Sequence, residues 1–192
     1  MKRNNQVRII KLFPKDIVLA KEIVEIFSES LGFNYITRKE ITNILNNKTD
    51  KILLAAFMNH NMVGVRIIKI LNQKEINDFN QVIKPQKLPH HKIGMLVSSA
   101  VRKCFRQQGI GTSMIYEGIK ELKKMGCSVY VATAWDSGQQ KSSTALLEKF
   151  NFKKIKVLKN YWKEKSIVQN FECPVCGKPP CTCTAVFYML DK

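Results

Sequence analysis

The first fifth of the chain shows strand-like and then helix-like spacing of apolar residues. Residues 7–13 are mostly apolar and β-branched, which predicts a first strand. Pro14 suits the first turn of a helix, and apolar residues follow it at helical spacing: Ile17, Ala20, Val24, Phe27 and Leu31. Thr37 and Glu40 have the spacing of a capping box, so we predict a short second helix after Thr37.

The middle of the chain predicts a hairpin and then a loop. Residues 51–58 and 62–71 are apolar, strand-like runs separated by Asn-His-Asn, the pattern of two antiparallel strands and their turn. Residues 72–91 are polar and contain Pro85 and Pro89, and we interpret them as one long loop. Loops of this length are uncommon in a compact domain unless they are functional or disordered.

The second half of the chain returns to alternating strand and helix patterns. The predicted elements are a fourth strand at 93–101, a helix at 110–125, a fifth strand at 127–134, a short helix at 142–150, and two last strands at 153–158 and 184–190. Such an order is typical of a mixed α/β (α+β) fold. We therefore predict a single domain over residues 1–192, with about seven strands and about four helices.

Composition narrows the class of protein. Hydrophobic residues make up 45% of the 192 residues, as in ordinary soluble domains. No apolar run approaches the ~20 residues that a membrane-spanning helix needs, and residues 1–13 lack the pattern of a secretory signal. We expect a cytoplasmic protein with no membrane partner.

The positive charge raises the hypothesis of nucleic-acid binding. The chain has 32 Lys and Arg against 15 Asp and Glu, a net charge of +17. Most of the basic residues are Lys and are spread along the chain, whereas Arg is favoured where planar contacts to phosphates or bases matter. A general compositional bias explains this distribution better. Nucleic acid stays open as a partner but is not favoured.

A turn with two glycines separates the predicted fourth strand from the following helix. Residues 106–111 read Arg-Gln-Gln-Gly-Ile-Gly. The first amides of a helix lack intrahelical partners, and with the positive end of the helix dipole they suit a phosphate group. The spacing does not fit a Walker loop, and Met114 stands where a dinucleotide fingerprint needs its third glycine. The turn therefore predicts a phosphorylated cofactor of another kind.

The longer segment around this turn resembles a known family. Residues 101–112, Val-Arg-Lys-Cys-Phe-Arg-Gln-Gln-Gly-Ile-Gly-Thr, are similar to the coenzyme A loop of the GNAT superfamily of N-acetyltransferases, with Lys103 in place of a frequent proline. Residues 145–152 resemble the family's closing segment, and the predicted order of elements resembles the family's order. The resemblance implies a GNAT-like mixed central sheet and a reaction that uses acetyl-CoA.

The resemblance also implies a set of cofactor-binding residues. In the family, the fourth and fifth strands splay apart and hold the pantetheine arm of acetyl-CoA. The main chain of the fourth strand would hydrogen-bond to that arm at Ser99, Ala100 and Val101. The turn would hold the pyrophosphate through backbone amides, with an electrostatic contribution from Arg106: its residues are Gln107, Gln108, Gly109, Ile110, Gly111 and Thr112.

The usual proton donor of the family has no counterpart here. Many members protonate the leaving thiolate with a Tyr on the helix after the fifth strand, and the matching position is Leu147. Asp136, just past the fifth strand, is the candidate catalytic base, and a turn or helix-cap role is its alternative interpretation. Three other side chains are weaker candidates: Tyr188, His90 and His91.

Four of the six cysteines fall in one short segment near the C-terminus. Cys173, Cys176, Cys181 and Cys183 begin with Cys-x-x-Cys-Gly, a metal-knuckle pattern. Four thiolates would close a tetrahedral, structural zinc site, and we predict a zinc-knuckle insertion at about residues 170–184. Disulfides are disfavoured in a chain without a secretion signal. Iron, alone or in an iron–sulfur cluster, stays open as the metal.

The resemblance implies an N-acetyltransferase that moves an acetyl group from acetyl-CoA to a primary amine of a small molecule or protein. Two alternatives stay open. The missing Tyr would suit a non-catalytic acyl-CoA-binding or regulatory module, and the positive charge would suit acetylation of an amine attached to RNA. The sequence identifies neither the acceptor nor the oligomeric state.

Overall fold

The computed structural model describes residues 6–136 and 143–191. Within these ranges the chain forms one mixed sheet with helices on both faces. The strands are β1 (Arg8–Lys11), β2 (Lys51–Met58), β3 (Asn61–Ile70), β4 (Ile93–Val101), β5 (Val129–Asp136), β6 (Lys153–Leu158) and β7 (Thr184–Asp191). The helices are α1 (Ala20–Leu31), α2 (Arg38–Leu45), α3 (Gln73–Ile83), α4 (Ile110–Lys124), α5 (Ser143–Lys149) and α6 (Lys163–Gln169).

The sheet has seven strands in the order β1-β2-β3-β4-β5-β7-β6. Among the strands of residues 6–136 and 143–191, the central pair β4 and β5 is parallel and the other neighbouring pairs are antiparallel. Two antiparallel halves therefore meet along one parallel pair. The predicted α/β (α+β) class and the number of strands are confirmed.

Alternation along the strands divides the core between the two faces of the sheet. Leu53, Val65 and Ile67 face α1 and α2, whereas Leu54 and Ile68 face α4 and α5. Helix α4 packs its apolar face against β3 and β4. The buried residues of α4 are Ile110, Met114, Ile115, Gly118, Ile119 and Leu122. The packing fixes the start of α4 beside the end of β4.

Residues 72–91, which we predicted as a loop, contain helix α3, so that prediction was wrong. The side chain of Asn72 accepts from the Glu75 amide at 3.0 Å, and the Glu75 carboxylate accepts from the Asn72 amide at 3.1 Å. This capping box starts the helix. Phe79 and Ile83 of this helix pack against the sheet beside Phe187. The capping signal was present in the sequence, but the many polar residues of the segment concealed it.

The helix count also differs from the prediction of about four. Six α-helices lie in residues 6–136 and 143–191, because α3 and α6 were not predicted. Pro14–Leu19 is a 3-10 helix that leads into α1, so the first predicted helix is divided into two. None of the helices in these ranges combines the length and apolarity needed to cross a bilayer.

Candidate functional site

The parallel strands β4 and β5 separate part-way along their length. They pair only from Ile93↔Val129 to Leu96↔Ala132. Beyond that point β4 stays paired with β3 as far as Gly64↔Val101, and β5 stays paired with β7 as far as Asp136↔Thr184. The two strands therefore diverge into a wedge whose apex lies at residues 96 and 132.

A β-bulge lies at the apex of this wedge. In the β3–β4 ladder, Ile68 pairs with Leu96 but Ile67 pairs with Ser98, so Val97 is the extra residue on β4. Such a bulge bends its strand and increases the local twist. It also reverses which side chains of β4 face each helical layer, which places Ser98 on the side of α1.

The turn after β4 has the backbone conformation that a helix-start anion site needs. Gln107 and Gly109 have left-handed φ values of 63° and 79°. The first hydrogen bond of α4 runs from the Ser113 amide to the Gly109 carbonyl at 3.0 Å. The amides of residues 110–112 precede that bond and have no partner within the helix. A Cβ atom at Gly109 would have no atom within 4 Å in the described chain, so the turn opens outward.

Arg106 supports the turn and does not project freely. Its Nε donates to the Val101 carbonyl and its Nη2 to the Ser30 hydroxyl, both at 3.0 Å. Ser30 itself donates to the same Val101 carbonyl at 3.2 Å. Arg102 adds an ion pair with Glu22 of α1 at 3.0 Å. The end of β4 is thus tied to α1 on one side while the turn leads into α4 on the other.

Two hydroxyl groups meet beside the bulge. Tyr35, in the segment that joins α1 to α2, places its hydroxyl oxygen 2.6 Å from Oγ of Ser98. Burial raises the pKa of Tyr35; the hydrogen bond with Ser98 opposes this rise and the charge of Glu40 adds to it. Sequence reasoning missed both residues, because Ser98 comes to face Tyr35 only through the bulge.

The segment that contains the cleft and the turn matches a known protein family. Residues 20–152 match the family model described as the acetyltransferase (GNAT) family. The chain belongs to the GNAT acetyltransferase family. The resemblance predicted from residues 101–112 is therefore confirmed, and the protein is an acyl-CoA-dependent N-acetyltransferase. No curated protein sequence matches the chain significantly.

Solved structures of GNAT acetyltransferases share the fold at low sequence identity. NAA60 of Arabidopsis thaliana in complex with acetyl-CoA superposes with a TM-score of 0.70 at 13% identity, over 97% of this chain and 98% of that one. The ribosomal-protein-S18-alanine N-acetyltransferase of Escherichia coli gives 0.64 at 17% identity, over 97% and 94%. An N-acetyltransferase from Staphylococcus aureus Mu50 gives 0.65 at 12% identity, over 97% of both chains.

In this GNAT protein, the position of the family's usual Tyr belongs to the core. Leu147 of α5 is 4% exposed and packs with Ala132, Ala134 and Tyr188. The hydroxyl of Tyr188 donates to the Glu148 carboxylate at 2.8 Å. Burial, followed by this hydrogen bond and the charge of Glu148, raises the pKa of Tyr188 well above its usual range. The side chain of Tyr188 is thus buried, and its hydroxyl is committed to Glu148.

The other predicted catalytic candidates lie at different places. Asp136 ends β5, half-buried at the open end of the wedge, on the face that carries Ala132 and Ala134. Its charge adds to the rise in the Tyr188 pKa, so the two side chains are near one another. His90 and His91 precede β4 at its opposite end and line a separate cavity of about 650 Å³ beside α3. The family resemblance also puts Gln140 about where many members have an Asn close to the cofactor arm, and this residue lies outside the described residues.

The four predicted metal ligands do come together. The Sγ atoms of Cys173, Cys176, Cys181 and Cys183 all lie within 4.8 Å of one another. Cys183 is 3.8 Å from Cys173 and 3.4 Å from Cys176, sulfur to sulfur. Sulfurs bound tetrahedrally at ~2.3 Å from an ion lie ~3.8 Å apart, whereas a disulfide joins them at ~2.05 Å. The four thiols are free, and their spacing fits one ion.

The backbone around the first two cysteines has the form of a knuckle. Cys173 and Gly177 exchange two hydrogen bonds of 2.8 Å, and Gly177 has a left-handed φ of 76°. The Cys176 amide donates to the Cys173 sulfur at 3.4 Å, and the Thr182 amide donates to the Cys176 sulfur at 3.5 Å. Donation from amides stabilises sulfur that carries negative charge.

Without a cation, burial opposes ionisation of these thiols. It raises the pKa of Cys181 to about 11, and it raises that of Cys183 further still. Burial acts in the same direction on Cys176, but hydrogen bonds from Thr182 and the neighbouring thiols bring its pKa down to about 6. A bound cation would offset the cost of four clustered thiolates, as the chemistry of this ligand set requires.

The cysteine cluster is connected to the segment that carries Tyr35. The Glu172 amide donates to the Phe33 carbonyl at 2.9 Å, and the Asn34 side-chain amide donates to the Asn170 carbonyl at 3.3 Å. Phe171 is buried among the cysteines and makes an edge contact with the Tyr35 ring, at a centroid distance of 6.1 Å. The cluster thus supports one wall of the cleft on the face of α1 and α2.

Proposed function

We propose that this GNAT acetyltransferase transfers the acetyl group of acetyl-CoA to a primary amine of a small molecule or protein. The observation that carries the proposal is the wedge between β4 and β5, which leads directly into the left-handed turn at the start of α4. Two structural neighbours support the two substrates: NAA60 was solved in complex with acetyl-CoA, and the ribosomal-protein-S18-alanine N-acetyltransferase acts on an amine of a protein.

The proposed cofactor site has two parts: the wedge for the pantetheine arm and the turn for the pyrophosphate. Pantetheine lies along the free edge of β4, to which Ser99 and Val101 direct their main-chain groups. The main-chain groups of Ala100, predicted to join them, point to Val65 of β3 instead, and the Val101 carbonyl already accepts from Ser30 and Arg106. The pyrophosphate lies on the amides of residues 107–112, where the dipole of α4 favours negative charge. Arg106 acts mainly by holding the turn in place.

The reaction requires a neutral amine and two proton transfers. The amine nitrogen attacks the thioester carbonyl carbon, a C–N bond forms, and the C–S bond breaks. The nitrogen loses one proton, and the departing thiolate gains one to give free coenzyme A. Asp136 stays the candidate base. It is half-buried at the open end of the wedge, four residues along β5 from the apex at Ala132, so it would take the proton through a chain of bound waters. Leu147 cannot donate a proton to the thiolate.

If Asp136 is the base, replacing it by Asn should lower kcat/KM by ~10²–10⁴-fold and leave the Kd of acetyl-CoA unchanged. Thiol release with acetyl-CoA and an amine, measured beside the binding of acetyl-CoA alone, tests this. Asp191→Asn, at the exposed end of β7, is the matched control. Equal rates for Asp136→Asn and wild type would contradict a role as the base and would favour a turn or capping role for Asp136.

An assay of thiol release over a panel of primary amines tests the proposed reaction. We expect turnover with acetyl-CoA and at least one peptide or small amine. Tight binding of acetyl-CoA without turnover on any amine would favour a non-catalytic binding module. Activity on an amine attached to RNA, with affinity that falls steeply as salt rises, would favour the third interpretation.

We also propose that the cysteine cluster holds a structural zinc ion. Four sulfurs at the observed spacing would occupy every position of a tetrahedral ion and leave none open for substrate. The ion would fix the insertion at about residues 170–184 between α6 and β7. Metal analysis of the native protein distinguishes zinc from iron at this site.

A further inference from the structure

The pair formed by Tyr35 and Ser98 lies where the reactive end of acetyl-CoA is proposed to reach. Ser98 is the first residue past the bulge at the apex of the wedge, and its main chain is still paired with Ile67 of β3. A pantetheine arm laid along β4 from the turn would bring its thioester to this apex. The inference that follows therefore rests on the proposed function.

The hydroxyl pair of Tyr35 and Ser98 has one hydrogen left that it can donate to a third group. Each hydroxyl carries one hydrogen and can both donate and accept. At 2.6 Å, one of the two hydrogens lies between the oxygens. Whichever group donates in the pair, the hydrogen of the other is left for a further acceptor. That remaining donor is strengthened, because hydrogen bonds in a chain polarise one another.

Tyr35 is held in place by aromatic neighbours. Its ring contacts Phe27 of α1 at a centroid distance of 6.3 Å and Phe171 of the cysteine segment at 6.1 Å. The ammonium of Lys165 lies 5.1 Å from the centre of the ring. Because burial raises the pKa of Tyr35, the phenol keeps its hydrogen near neutral pH and remains a donor. A donor fixed before the reaction costs little reorganisation.

We propose that the Tyr35–Ser98 hydroxyl pair donates a hydrogen bond to the thioester oxygen of acetyl-CoA as that oxygen becomes negatively charged. When the amine attacks, the electron pair of the C=O bond moves onto oxygen, and it returns when the C–S bond breaks. A donor at that oxygen stabilises the transition state more than the bound thioester. The pair thus acts on the carbonyl, a role distinct from the missing thiolate acid at Leu147.

The variants Tyr35→Phe and Ser98→Ala remove the two hydroxyls with little change in packing. Tyr116→Phe removes an exposed hydroxyl from α4 and serves as the control. We expect each of the first two variants to lower kcat by ~10²-fold, the typical cost of one lost oxyanion donor. The Kd of acetyl-CoA should stay within about twofold of wild type, because the bond strengthens only in the transition state. The double variant should be no slower than the slower single one, since the two hydroxyls act as a unit.

A measurement without turnover separates this inference from the proposed function. Isotope-edited infrared spectra of acetyl-CoA labelled with ¹³C at the carbonyl should show a lower C=O stretching frequency when it is bound to wild type than when it is free. That shift should shrink in Tyr35→Phe and persist in Tyr116→Phe. Acetyl-CoA that binds with the same C=O frequency in wild type and Tyr35→Phe would overturn the inference and leave the proposed function intact. Failure of wild type to bind acetyl-CoA would overturn both.

Discussion

Replacing Gly109 by Glu is expected to raise the Kd of acetyl-CoA by ~100-fold or more, about 3 kcal/mol. Gly109 has a φ of 79°, and a Cβ placed there would point into open space beside the turn. A glutamate would bring a carboxylate to the amides and the helix dipole that are proposed to hold the pyrophosphate. It would occupy the anion site and repel the diphosphate. Isothermal titration with acetyl-CoA measures the effect.

Gly126→Glu is the control for this experiment. Gly126 also has a left-handed φ, 87°, but it follows the opposite end of α4. Both variants carry the same side chain and the same backbone penalty for a non-glycine residue in this conformation. Only Gly109→Glu should lose affinity. Comparable losses in both variants, or none in either, would remove residues 107–112 from the cofactor site.

Replacing Cys176 by Ser is expected to abolish metal binding and to lower the free energy of unfolding by at least about 2 kcal/mol, because the metal-binding free energy contributes to folding. For a domain of this size that loss corresponds to a fall in Tm of ~4–8 °C. The three remaining thiols cannot close a tetrahedral site, and burial already raises the pKa of two of them, Cys181 and Cys183. Elemental analysis and thermal unfolding, each with and without a chelator, measure the two effects.

Cys104→Ser is the matched substitution outside the cluster, since Cys104 is exposed. It should leave both the metal content and the chelator-sensitive part of the stability unchanged. Native protein that contains neither zinc nor iron would contradict the metal proposal. So would a Tm that does not respond to a chelator in wild type.

The sequence predicted those parts of the fold that local pattern determines. The hairpin of β2 and β3 and the amphipathic helix α4 depend on periodicity, and both are present. Helix α3 was missed because polar residues outnumber its four apolar residues, of which only Phe79 and Ile83 are fully buried. Helix α6 is seven residues long and has one buried residue, Ser166, so its pattern is too short to recognise.

The candidate site was likewise only partly predictable from the sequence. The turn at residues 106–111 was visible because its glycines and flanking elements lie together in the sequence. The meeting of Tyr35 and Ser98 was not, since it joins residues 63 positions apart through a one-residue bulge. A register shift of one residue exchanges the two faces of a strand, and apolar periodicity does not reveal it. Likewise, only the structure shows that Arg106 is committed to Val101 and Ser30.

The short parallel ladder between β4 and β5 has a consequence for the response of the protein to its ligand. Within the described sheet, four residue pairs form the ladder that joins the half with β1 to β4 to the half with β5 to β7, and loop hydrogen bonds such as Glu172 to Phe33 add to it. A ligand bound along the free edge of β4 would contact both β4 and β5 beyond their last paired residues, and it would therefore extend the contact between the two halves. Amide hydrogens near the apex should then exchange with solvent more slowly when the cleft is filled. Acetyl-CoA would thus stabilise the junction of the two halves for as long as it is bound, in addition to donating its acetyl group.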